Sequence, residues 1–100
     1  MSQYFFSKLN PPRPSFMFDM TEDERRLMGE HAAYWRSLAE KGIALLFGPV
    51  ADPKGGYGIC VTRVENEAEV TRITANDPVM RSGLPFSFET YPMPDVVRAS

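Results

Sequence analysis

The sequence predicts an α+β domain made of two split βαβ units around one antiparallel sheet. Three observations predict it. A capped amphipathic helix occupies residues 21–41. Two apolar strands follow, at 43–47 and 57–64, with a glycine turn between them. A shorter helical stretch at 65–75 then precedes an alternating strand at 86–91. One hundred residues suit a single domain of this kind with a modest core.

Taken in order, Tyr4-Phe5-Phe6-Ser7-Lys8-Leu9 is short and aromatic-rich, and it ends at a proline cluster, as a strand does. Pro11, Pro12 and Pro14 cannot donate to a ladder, so residues 10–20 form a stiff connector inserted ahead of the first helix. That connector is either a rigid linker or a pocket wall that presents Arg13.

Thr21 followed by Glu24 is a capping box, and Glu22, Asp23 and Glu24 place negative charge in the first turn. Lys41-Gly42 closes the helix with a cation and then a glycine. On this helix the neighbours of His31 at three, four and seven residues are Leu27, Met28, Tyr34, Trp35 and Leu38, one apolar stripe. His31 is the only histidine in the chain.

The run at 43–47 is continuously apolar and is halted by Gly48-Pro49, so it predicts a strand with both faces covered. Residues 52–56 are a turn. In the strand at 57–64, Tyr57, Ile59 and Val61 point one way while Cys60 and Val64 point the other. The second helix presents Ala68, Val70, Ile73 and Ala75 as its apolar side. It ends at Asn76-Asp77-Pro78, because the residue before proline avoids the helical region. A loop holding Gly83 and Pro85 leads to the last strand, which Pro92 and Pro94 stop.

The resulting order, βαββαβ, is ferredoxin-like. It also implies a partner. Two helices cover one face of a four-stranded sheet, yet two of its strands are apolar on both faces. A second copy of the same sheet is the simplest cover, which predicts a homodimer through the sheet face.

Composition excludes several functions. Lysine and arginine number 11 against 13 acidic residues, a net charge of −2, so no basic stripe is available for nucleic acid. A single cysteine, Cys60, excludes an internal disulfide, and one His with one Cys makes no zinc site without heavy carboxylate help. No apolar run approaches a membrane span and no signal pattern opens the chain, so a cytoplasmic protein is expected. Gly55-Gly56-Tyr57-Gly58-Ile59-Cys60-Val61-Thr62 keeps only one of the aromatics that an RNA-recognition strand stacks on bases.

The residues that carry chemistry are few. His31 is the side chain whose ordinary titration range is nearest neutrality, and in an apolar setting it is a usable general base. It is equally a core histidine bonded to a backbone carbonyl. Asp77 is fixed by Pro78 and can approach His31 if both helices pack on one sheet face, holding its tautomer as an orienting carboxylate does. An Asp before Pro is also a common turn-former. Tyr34 and Trp35 are core residues or walls for a ring. Arg13 can meet an anionic substrate or a developing enolate. Asp52 belongs to a turn, and Cys60 is an inert strand residue.

His31 ahead of Tyr34 and Trp35, then Gly42, Gly48-Pro49, the glycine turn, Glu67-Ala68, and Asp77-Pro78 with Gly83 behind it closely resemble the YCII-related (YciI-like) family. The resemblance spans nearly the whole chain, and the segment Pro11-Pro12-Arg13-Pro14 resembles a longer branch of that family. It implies a dimeric α+β barrel whose active site pairs His31 with Asp77. It also implies cofactor-free proton transfer on small cyclic substrates, as in a related dehydrochlorinase.

The expectation is therefore an enzyme of the lyase or isomerase kind acting on a small cyclic or enolisable metabolite. Its catalytic residues are His31 and Asp77, and Arg13, Tyr34 and Trp35 bind substrate. No metal or cofactor is expected. The competing reading is a non-catalytic small-molecule binder or accessory dimer.

Overall fold

The computed structural model describes residues 2–99. Four strands, β1 (Gln3–Asn10), β2 (Ala44–Val50), β3 (Tyr57–Val64) and β4 (Ser87–Met93), form one sheet in the order β2-β3-β1-β4. Every neighbouring pair is antiparallel. Helices α2 (Glu22–Glu40) and α3 (Glu67–Ala75) supply the two long crossovers. Two one-turn helices, α1 (Phe16–Asp19) and α4 (Pro78–Arg81), lie in segments that the sequence marks as connector and loop. The fold is the ferredoxin-like α+β arrangement.

Burial alternates along the central strands. On β1, Phe5, Ser7 and Leu9 are buried, and on β3 so are Cys60, Thr62 and Val64. Of these, Phe5, Cys60 and Val64 join Trp35, Leu38, Val70 and Ile73 in the main core. A second cluster gathers Leu9, Phe16, Val79 and Phe86. Phe16 and Phe86 meet edge to face at 5.4 Å, so the proline-rich segment is pinned to the core by an aromatic contact.

The capping box forms: Thr21 Oγ1 accepts from the backbone of Glu24, and the Glu24 carboxylate accepts from the backbone of Thr21. The helix stops at Gly42, whose φ of 76° suits glycine alone without strain.

Three local expectations need correcting. Strands β2 and β4 run through Pro49 and Pro92 instead of halting before them. Both are edge strands, where an absent N–H on the unpaired side costs no ladder bond. The buried side of α3 is Val70, Ile73 and Thr74, while Ala68 and Ala75 are exposed. Ala68 is two residues from Val70, roughly 200° around the helix, so the two cannot share a face. Residues 78–81 are helical because Asp77 caps them through Val79 N and Pro78 takes the first helical position.

No helix among the described residues is long and apolar enough to cross a membrane.

Candidate active site

Asp77 follows the buried side of α3 at the next helical spacing after Val70, Ile73 and Thr74, and this brings it against α2. Its side chain is fully buried. Three groups converge on it. Trp35 Nε1–H donates to Oδ2 at 2.6 Å, Val79 N–H donates to Oδ1 at 3.0 Å, and His31 Nδ1 lies 2.7 Å from Oδ2. A carboxylate only accepts, so the hydrogen of the His31 bond belongs on Nδ1. The lone pair of the neutral ring is then on Nε2.

His31 keeps 16% of its side chain exposed, and it lines a cavity of about 370 Å³ between the sheet and α2. Trp35 and Met28 line the helix side, Phe47, Cys60 and Phe88 the sheet, and Met17 and Met20 the proline-rich segment. Gly48 on β2 and Gly58 on β3 leave room along the strands. A Cβ at Gly56 would stand 2.8 Å from Met17 Cε, so that methionine rests on the bare glycine.

Tyr34 does not line the cavity. Its hydroxyl donates to Ile73 O at 2.6 Å and its ring meets Trp35 edge to face, which ties α2 to α3. Burial, and after it the charge of Asp77, pushes the Tyr34 phenol up.

Arg13 also stands apart from the cavity. Its guanidinium donates to both oxygens of Glu24 at 2.8 and 2.9 Å, to Asp19 Oδ1 at 2.8 Å and to Asp19 O at 2.9 Å. It lies 5.3 Å over the Phe16 ring. These bonds fasten the proline-rich segment to the start of α2. They hold the Glu24 carboxyl down at about 2, mainly through Arg13 and then through the Thr21 backbone.

Burial pushes the Cys60 thiol up to about 12, which leaves it a small apolar lining group. Asp52 accepts from Lys54 N and shapes its turn. Among the described residues no cluster of histidine, cysteine and carboxylates could hold a metal ion.

Sequence reasoning missed the methionine wall and the second donor on Asp77. A signal existed for the donor, because a buried indole N–H needs an acceptor and Trp35 is four residues from His31 on one helical face. For Met17 the available hint was Gly55-Gly56, bare backbone that only a close approach requires.

The fold and the cavity define a small ferredoxin-like domain with a buried carboxylate behind a cavity-lining imidazole. Residues 5–94 match the model of the YCII-related domain, and the chain belongs to that family. No curated protein matches it in sequence. Among solved structures it is similar to 5-chloro-2-hydroxyhydroquinone dehydrochlorinase (TftG) from Burkholderia phenoliruptrix AC1100, in complex with 2,5-dihydroxybenzoquinone. The identity is 21% over 85% of this chain and 90% of that chain, with a TM-score of 0.57, a likeness of fold.

Proposed function

We propose that the protein is a cofactor-free enzyme of the lyase or isomerase kind acting on a small cyclic or enolisable metabolite. The observation that carries the reading is the double position of His31, bonded through Nδ1 to buried Asp77 while lining the cavity. In this reading Nε2 takes a proton from an acidic C–H or O–H of the substrate. Asp77 fixes the tautomer and supports the imidazolium that forms. Trp35 and Val79 hold Asp77 in place, so the carboxylate does not turn when the proton moves. The imidazolium, free to exchange its Nε2 proton with solvent, then delivers a proton to another atom of the substrate or to a leaving group. The dehydrochlorinase likeness agrees with chemistry of this class.

The test is carbon-bound deuterium uptake in D2O, followed by NMR on a panel of cyclic diketones and polyhydroxylated rings. Wild type should accelerate uptake on at least one compound. His31→Gln should lose roughly 10²–10⁴ of that rate with ligand affinity kept. Equal rates in both proteins would refute the reading. Binding without uptake across the panel would favour the non-catalytic binder.

We also infer a homodimer through the outer sheet face. Phe6, Ile59 and Val61 lie on that face, with Leu46 at 50% and Tyr91 at 53% exposure. This apolar surface supports a second sheet as its cover. Sedimentation equilibrium should give twice the chain mass, and Val61→Glu should give the monomer. A wild-type monomer at all concentrations would overturn it.

A further inference from the structure

We propose that the cavity selects an uncharged ring carrying hydroxyl or carbonyl groups and turns away the analogue that bears a carboxylate. This rests on the acid/base reading above and narrows its substrate.

The walls set the first half of the claim. Phe47, Phe88 and Trp35 offer aromatic surface and Met17, Met20 and Met28 offer adaptable apolar surface, a lining suited to a ring. A volume near 370 Å³ is at the small end of the roughly 300–1,000 Å³ that ligand sites occupy. His31 is the side chain placed to fix a ring hydroxyl or carbonyl by hydrogen bonding.

Charge sets the second half. Among the described residues no lysine, arginine or carboxylate lines the cavity. Arg13, the nearby cation of the proline-rich segment, is turned to Glu24 and Asp19. Directly behind His31 is the Asp77 carboxylate. With His31 neutral the pair carries a negative charge, and with His31 protonated it carries none. In the first state it repels an anion, and in the second the Asp77 charge offsets much of what the imidazolium offers. A carboxylate entering from water would lose its hydration against apolar walls and gain little counter-charge. A neutral phenol or ketone loses little, and its ring gains the wall contacts.

The sole tryptophan, Trp35, makes the test direct, because its indole N–H resonance reports the cavity wall. Labelled protein is titrated at neutral pH with resorcinol, 3,5-dihydroxybenzamide and 3,5-dihydroxybenzoate. The last two share a shape and differ in charge. Resorcinol and the amide should move the Trp35 resonance to saturation, and the benzoate should bind at least ~10-fold more weakly. Benzoate binding as tight as the amide overturns the proposal, and so does a Trp35 resonance that none of the three moves. Deuterium uptake measured on the same wild-type protein separates the two readings. Preference for the amide without deuterium uptake in wild type sinks the acid/base reading alone. Uptake in wild type without that preference sinks this one alone.

Discussion

Two carboxylates tie helix α2 to its surroundings, one from outside the helix and one from its own first turn, and the contrast between them explains much of the molecule. Asp77 is fully buried and accepts from an indole, a backbone amide and an imidazole. Glu24 is also buried, but it accepts from Arg13, whose side chain keeps 34% of its surface exposed, and from its own helix start. They meet the helix at positions seven residues apart, Glu24 itself and His31, about 10 Å along the axis. Asp77 is polar chemistry inside a core, where every unsatisfied donor is expensive. Glu24 is a latch whose cation is partly open to solvent, so water can replace what Arg13 loses. The first fixes the His31 imidazole beside the cavity, and the second fixes the segment that supplies one of its walls.

The largest expected effect exploits that difference. Asp77→Ala strands the Trp35 indole N–H and the Val79 amide in the interior and leaves His31 without its partner. Urea unfolding should show a loss of about 3–5 kcal/mol, as breaking a buried charged network does. Glu24→Ala should cost clearly less in global stability, because the freed Arg13 keeps Asp19 and gains water. Its effect should appear instead as faster amide exchange across 16–19. Equal losses for the two variants would break the comparison.

Much of this was legible. The capping box at Thr21 and Glu24, the apolar stripe around His31 and the stop at Gly42 are local signals, and local geometry decides them. The separation of His31 and Asp77 was not legible, although their places on two helices of one layer were. What local pattern could not supply was position within the sheet. Pro49 and Pro92 look like strand ends until strand order makes β2 and β4 edges. Arg13 misled in a related way. A lone cation in a proline-rich stretch resembles a substrate ligand, whereas its partner Glu24 was already assigned to the capping box. The carboxylate serves both, since its two oxygens accept from Arg13 and one accepts from Thr21 N as well.

That double use makes the latch sensitive to acid. The Glu24 carboxyl is lowered in the fold from an ordinary value of 4.5 to about 2, with the Arg13 hydrogen bond as the main cause. A group lowered by folding contributes stability that is complete above its unfolded value and lost as pH falls through its folded one. The latch should therefore hold at neutral pH, weaken below 4.5 and be gone near 2. Asp19, lowered first by Ser15 and then by Arg13, adds to the trend in the same direction. Acid also reaches other carboxylates, so the measurement is a difference between wild type and Arg13→Gln, taken by urea unfolding at about pH 6 and about pH 2.5. At the higher pH wild type should be the more stable, and at the lower pH most of that difference should be gone. The difference should shrink modestly with added salt, because the pair is partly open to water. A gap that stays constant across this range would mean that Arg13 holds the segment through its stacking on Phe16, with the carboxylates as bystanders.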